Sequence, residues 1–425
     1  MKNLIKYSGI ALLMAMGFQA QAQDVDVLVV EEENKTIWDR SLPNYRYPDQ
    51  RGINTFEPAK DIVEGEFEGV QVRLGGAFAL QLQGLRQENA AGAPELAELG
   101  TDFNLATANM VFDILLAKGV RVNLTTYLSS LNHPEAYVKG GYLQIDNLDF
   151  ISEGLASGLM EHMRIKIGHM ENNYGDAHFR RSDNAMALYN PFVGNYLMDS
   201  FTTEVGAEVY FFNGPWLGMV GFTNSNLNQS SIKEDTDPTY LAKLGYDNQF
   251  SEDFRFRLTG SVFHSPHRQL SSRGSTQYLY AGDRAGTRYY NVMDGSFRAG
   301  RINPNFGEEL TSFMINPFIK VGGLEFFGIY ENASGSNDET WNQYAGELIY
   351  RFGQDENFYL GTRYNTASND DVSVNRFNVG GGWFMTKNIL TKFEYVNQNY
   401  NDYPTGDLYD DAQFNGFNIE AVISF

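Results

Sequence analysis

Basic side chains recur at alternate positions of short apolar stretches: Arg73, Arg121, Arg164, Lys166, Arg255, Arg257, Arg363 and Lys392. Carboxylates fall into the same alternation at Asp113, Glu204, Glu208, Glu347, Glu394 and Glu420. This spacing builds no bond-breaking constellation. It sets charge along one face of extended segments, where rows of opposite sign can orient and sort ions or dipolar solutes. A ladder of Arg–Glu pairs bracing a wall is the other use of such rows. Arg164 with Lys166, and Arg255 with Arg257, put like charges on one strand face, an arrangement tolerated where anions or acidic neighbours compensate. An anion-attracting zone is therefore expected.

Other chemistry is sparse. His264-Ser265-Pro266-His267 is a weak metal pattern in a loop, and Asp402, Asp407, Asp410 and Asp411 lack the regular oxygen-ligand spacing of a calcium loop. There is no Gly-rich phosphate loop opening a helix, no nucleophile elbow and no cysteine. No cofactor, metal site or catalytic residue is expected. A net charge of −21 also argues against a nucleic-acid partner, which demands a basic face.

The charged positions need extended elements to hold them. Val70, Val72, Leu74, Phe78, Leu80 and Leu82 oppose Gln71, Arg73, Gln81 and Gln83, a period of two longer than the usual strand of about 5–6 residues. The pattern returns with Val120, Val122, Leu124 and Leu128 against Arg121, Asn123, Thr125 and Tyr127. Met163, Ile165 and Ile167 oppose His162, Arg164 and Lys166, and Val205, Val209 and Phe211 oppose Glu204, Glu208 and Tyr210. Phe254, Phe256, Leu258 and Val262 oppose Arg255, Arg257, Thr259 and Ser261, while Phe358, Leu360 and Tyr364 oppose Tyr359, Arg363 and Asn365. A β-sandwich gives the same alternation, but a tilted membrane strand needs about 9–11 residues, and the lengths here favour it. Short connections at 117–119, 212–215, 321–323, 353–357 and 385–388 alternate with longer ones, notably 168–201 and 264–309. The stretch 147–158 is long and 129–135 short for this parity. Trp216, Tyr330, Tyr350, Tyr359 and Trp383 are candidates for the aromatic girdle at the lipid headgroups.

The expected fold is all-β: a transmembrane antiparallel β-barrel of about sixteen strands, with fourteen or eighteen as alternatives, bearing long extracellular loops and short periplasmic turns. Lys2 and Lys6, the apolar run 10–16 and Ala20-Gln21-Ala22 mark residues 1–22 as a secretory signal peptide. Residues 23–68 read as a periplasmic N-terminal extension, a plug, an oligomer contact or a loose tail, and 69–425 as the barrel.

The chain ends Asn418-Ile419-Glu420-Ala421-Val422-Ile423-Ser424-Phe425, an alternating strand finished by an aromatic residue. This resembles the terminal strand of Gram-negative outer-membrane barrels. With the strand pattern, it makes the mature chain similar to the general and substrate-specific porins of sixteen-strand type. The resemblance implies a water-filled channel in the cell outer membrane, surrounded by its lipids, for passive diffusion of small polar solutes or ions, assembled as a homotrimer. It also implies that the connection after the fifth strand folds inward as a constriction, which would put His178, Arg180, Arg181 and Asp183 in the narrowing. The pore lining would then combine these with Arg73, Arg121, Arg164, Lys166, Glu204, Glu208, Arg255 and Arg257. The alternative is a surface-binding adhesin or receptor using loop 264–309, with Tyr278, Tyr280, Tyr289, Tyr290, Arg273, Arg284 and Arg288 as contacts. A barrel enzyme is disfavoured, because His162 has no obvious nucleophile beside it.

Overall fold

The computed structural model describes residues 45–60, 67, 69–104, 106–129, 137–225, 237–267, 279–280, 289–293 and 300–425. The expected signal peptide and residues 23–44, 61–66 and 68 of the extension lie outside them.

The alternating segments form β1 (Gln71–Glu88), β3 (Thr107–Ala117), β4 (Val120–Ser129), β5 (Tyr137–Ile145), β6 (Met163–Glu171), β7 (Thr203–Asn213) and β8 (Trp216–Thr223). They continue through β9 (Thr239–Ser251), β10 (Phe254–Ser265), β11 (Leu310–Val321), β12 (Leu324–Gly335) and β13 (Thr340–Phe352). The last are β14 (Phe358–Ser368), β15 (Ser373–Thr386), β16 (Ile389–Asn401) and β17 (Gln413–Ser424). Each pairs antiparallel with its neighbour, and β1 closes the ring on β17 from Ala77↔Ser424 to Glu88↔Gln413. The result is a closed barrel of sixteen strands. A short additional strand, β2 (Thr101–Phe103), pairs with Leu82–Gly84 of β1 above the end of β3. Phe425 completes the closure, its N–H donating to Gly76 O at 3.0 Å and its carbonyl accepting from Gly76 N at 2.9 Å.

One rim carries both β1's start and the tight turns: Lys118–Gly119, Gly214–Pro215, Glu252–Asp253, Gly322–Gly323 and Lys387–Asn388. Gly119 has φ +69, and a side chain there would collide with Asn147, so the turn needs glycine. The exception on this rim is the β5–β6 connection, which contains the short helix α1 (Ser157–Met160).

The outer face is apolar because nothing but lipid can cover it. Val72, Leu74, Phe78, Leu80, Val220, Leu244, Leu360 and Phe393 all point outward and are exposed. A soluble protein would not leave this belt bare. Tyr350, Phe352, Phe358 and Trp383 stack in series at the turn rim, with ring centroids 5.8–5.9 Å apart. Trp216 is exposed near the same rim, against Tyr246. Tyr359 departs from the expected girdle: it points inward, 3% exposed, and donates to Pro191 O at 2.9 Å. Its position opposite Phe358 and Leu360 already required that.

The inner face is divided. On β3 to β7 it carries Asn109, Asp113, Arg121, Asn123, Tyr142, Gln144, Arg164, Lys166, Glu204 and Glu208. On β8 to β13 it also carries Met219, Leu241, Phe263, Met314, Phe318, Phe327, Ile329 and Trp341, buried in one apolar core with Phe56, Tyr174, Tyr196, Leu197 and Met198. That core sits inside the barrel.

Leu244, at mid-strand in β9 and 63% exposed, tests the lipid face. Leu244→Arg is expected to cost about 2–4 kcal/mol in reversible unfolding from lipid vesicles. A change near zero would show that this face does not meet hydrocarbon.

Candidate functional site: an off-centre path inside a filled barrel

Described residues of the β10–β11 connection pack into the lumen as well, and two further segments that fill it are held by charge. The first is a strap, residues 45–60. Its Gln50 N–H donates to Lys387 O at 2.8 Å on the turn rim. Asn54 donates to Glu325 at 2.6 Å and its carbonyl accepts from Arg255 at 2.9 Å. Phe56 packs edge-on against Phe179 and Phe318. Beyond it the Pro58 and Ala59 carbonyls accept from Arg164 at 2.5 and 3.1 Å, and Lys60 donates to Asp146 O at 2.8 Å.

The second segment is the connection 172–202 after β6, which does fold inward. It follows the fifth barrel strand, because the short β2 is not part of the ring. Val193 N–H donates to Glu394 at 2.8 Å, Leu197 N–H to Asn365 at 2.7 Å and Met198 N–H to Gln343 at 2.8 Å, all inner-wall side chains.

One ion cluster joins strap, connection and wall. Arg257 reaches Glu57 at 2.6 Å and Asp176 at 2.8 Å, while Lys243 reaches Glu57 at 2.8 Å and Asp176 at 2.7 Å. Thr259 adds a hydroxyl to Asp176 at 2.8 Å. Burial alone would raise both carboxyls. Arg257 and Lys243 outweigh it, holding Glu57 well below and Asp176 below their ordinary values.

The expected pore residues divide into two groups. Arg121, Arg164, Arg180, Glu204, Glu208, Arg255 and Arg257 face inward but are engaged with the filling or with carboxylates of the wall and its turns. Arg164 bonds Asp146 at 2.8 Å, Arg121 faces the same carboxylate at 3.8 Å, and Arg255 bonds Asp247 at 2.6 Å. Arg180 is buried against Glu347 at 2.5 Å, and Glu204 and Glu208 accept from Asn172 at 3.0 Å and Asn173 N–H at 2.8 Å. Of the remaining rows, Arg363 pairs with Glu347 at 2.6 Å and Lys392 with Glu420 at 2.5 Å.

Arg73, Lys166, His178, Arg181 and Asp183 instead border open space. A cavity of about 270 Å³ runs between the filling and the polar wall, and Lys166, His178, Arg181 and Asp183 line it with Tyr45, Arg46, Lys139, Tyr142 and Glu171. A second cavity, about 140 Å³, shares Tyr45, Arg46, Tyr142 and Tyr189 with the first and extends to Arg73, Asp113, Gly75, Gly76 and Phe425 at the turn rim. Most of the lining charges are paired: Arg73 with Asp113 at 2.8 Å, His178 with Glu171 at 2.9 Å, Arg181 with Asp199 at 2.6 Å, and Lys139 with Asp183.

Lys139, Lys243, Glu325, Glu331, Arg351 and Arg376 also face inward and were not singled out from the sequence. The neighbours of Glu325 and Glu331 on the same face are Phe327 and Ile329, so polarity does not alternate there. Strand pairing supplies a signal that strand-by-strand reading misses: Lys320 stands opposite Glu325, and Glu325 opposite Ile349, both on inward-facing registers. The loop aromatics proposed as surface contacts behave otherwise than expected. Tyr280 and Tyr289 are buried, donating to Glu331 at 2.8 Å and Glu394 at 2.5 Å, and Tyr290 is buried too. Tyr278, Arg273, Arg284 and Arg288 lie outside the described residues. Among the described residues no three His, Asp or Glu side chains gather as a metal site.

No family model and no curated protein matches the sequence. Solved structures do resemble it. The anion-selective porin of Comamonas acidovorans is 11% identical over 84% of this chain and 100% of its own, with a TM-score of 0.51. Pseudomonas putida OprB is 10% identical over 84% of this chain and 94% of its own, with a TM-score of 0.50. The likeness is one of fold: this chain is a sixteen-stranded barrel built as the outer-membrane porins are.

Proposed function

We propose that the chain is an outer-membrane porin in which small polar solutes and ions cross along the off-centre path, with anions favoured. The observation that carries this reading is the pair of adjoining cavities between filling and polar wall, reaching the turn rim at Phe425. Water belongs on that side because its wall is polar, whereas the opposite wall is sealed by apolar packing. Arg73, Lys139 and Arg181 are paired with Asp113, Asp183 and Asp199, which leaves Arg46 and Lys166 as the lining cations outside any ion pair among the described residues, although the whole chain is acidic. A field of that sign inside a low-dielectric wall concentrates anions. The strap makes the path narrow, so the expected conductance is small for a barrel of this width.

Planar-bilayer recording of the purified chain under a salt gradient is expected to show stable, ohmic, small steps, with a reversal potential of the sign for anion preference. Absence of conductance from correctly folded protein would overturn the porin reading and move function to the outer loops. Cation preference would overturn the anion assignment alone. Deleting residues 45–60 is expected to raise unitary conductance several-fold; an unchanged value would mean that the strap does not limit flow.

Acid should act on the same element. Glu57 and Asp176 have lowered folded-state pKa values, so their contribution is complete above the ordinary carboxylate pKa of about 4 and is lost as pH falls through the lowered values. Conductance is expected to be flat from neutral pH to about 5 and to rise or become noisy only in stronger acid. A Glu57→Gln variant should show that loosened behaviour at neutral pH. A transition centred near neutral pH would assign the gating to other groups.

A further inference from the structure

Within the larger cavity the distribution of partners is uneven. Lys139, Arg181 and His178 are each matched by a carboxylate. Lys166 is not. Glu208 stands opposite it on β7 but forms no ion pair with it, and the ammonium lies 5.3 Å from the Tyr142 ring centroid and 5.1 Å from that of Tyr210. Neither Lys166 nor the Tyr142 hydroxyl has a hydrogen-bond or ion-pair partner among the described residues. The Tyr45 hydroxyl, which borders the same cavity from the strap, is buried and equally without a partner. A buried donor with no acceptor is costly, by about 1–3 kcal/mol, and native interiors seldom leave one. Here a cation and two hydroxyl donors open on one cavity with no protein acceptor assigned to them.

The rest of the lining is mixed, with Asn109, Asn123, Thr125, Gln144 and Asn173 on the polar side and an apolar patch on the other. Phe56, Pro58, Val111, Met170, Phe179 and Met186 border the space. At about 30 Å³ per water the cavity has room for on the order of nine waters, or a small organic molecule in their place. Inorganic phosphate would find the donors but leave the aromatic surface uncovered. A neutral aromatic would do the reverse.

We infer that this cavity is a binding site for a small organic carboxylate with a flat, aromatic body, its carboxylate taken by Lys166, Tyr142 and Tyr45 and its ring laid against the apolar lining. The inference rests on the path being open to solutes, and it makes the path substrate-selective rather than merely anion-favouring.

Isothermal titration of the full chain in lipid nanodiscs tests the site independently of conduction, with benzoate as probe. Benzoate is expected to give saturable binding, while benzamide and inorganic phosphate give none in the same range. Lys166→Met should weaken benzoate by about tenfold or more, the loss of one charge-assisted hydrogen bond. Tyr45→Phe should weaken it a few-fold, and Lys166→Arg should retain it. Heat-dependent gel mobility checks that each variant is a folded barrel; should the methionine variant misfold, the tyrosine and arginine variants still decide. No saturable benzoate heat, equal binding by Lys166→Met, or phosphate binding as tight as benzoate would each overturn the site. Conductance without benzoate binding would sink this site and leave the porin reading standing; binding without conductance would do the opposite.

Discussion

The interior of this barrel depends on the four-membered cluster of Arg257, Lys243, Glu57 and Asp176. A sixteen-stranded ring is wide enough to stay open by itself. What narrows it is chain that must be brought in from elsewhere, and that chain has little secondary structure to stiffen it. The cluster draws the strap through Glu57 and the inward connection through Asp176 onto one spot of the β9–β10 wall. Burying four charges is costly, and such clusters are tolerated when nearly every oxygen and N–H finds a partner. That condition is met here: Thr259 bonds Asp176, and Lys243 also bonds Asn173 Oδ1 at 2.7 Å and Gly175 O at 2.8 Å. Losing one member would leave the others uncompensated, a cost of about 3–5 kcal/mol. Arg180 repeats the device nearby, tying the connection to Glu347 and to Asn54 of the strap.

Where the cluster pulls the filling decides where water can go. Toward β8–β13 the filling meets Phe318, Phe327 and Ile329 and packs as a protein core does. Toward β3–β7 it meets Asn109, Asn123, Tyr142 and Lys166, side chains that do not interlock without water. The open volume therefore follows the polar wall. A symmetric polar lumen would hold its filling loosely on all sides, and a symmetric apolar one would seal.

The outer half of the structure was legible in the sequence and much of the inner half was not, for a physical reason. Lipid imposes one rule on every outward residue, so Val72, Leu74, Leu258 and Phe393 reveal their strands unaided. The inner face answers to local partners instead. Where the partner is water or charge, as on β6 and β10, alternation is sharp and Arg164, Lys166, Arg255 and Arg257 were found. Where the partner is Phe56 or Tyr196, the wall turns apolar, and Glu325, Glu331 and Arg351 escape notice. Tyr359 was assigned to the girdle by residue type although its register pointed inward. The reach of the strap was not visible either, because Asn54, Glu57 and Lys60 find their partners from β6 to β12, far away in sequence.

Charge rows therefore mark the lumen without marking the pathway; pairing makes that distinction. Arg164, Arg180, Arg255, Arg257, Arg363 and Lys392 all sit on the inner side, yet each is consumed by a carboxylate or by carbonyls of the filling. In a low-dielectric interior an ion pair cancels most of its own field at a distance, so such residues add rigidity and little selectivity. A cation outside any ion pair keeps more of its field. Lys166 is in that position, and so is Arg46, since its bonds go to the Gly52 and Phe179 carbonyls and its guanidinium lies over Tyr189 at 3.4 Å. Both border the larger cavity. The net acidity of the chain does not cancel them, because carboxylates outside the barrel are separated from the path by water and screened within about 10 Å at ordinary salt.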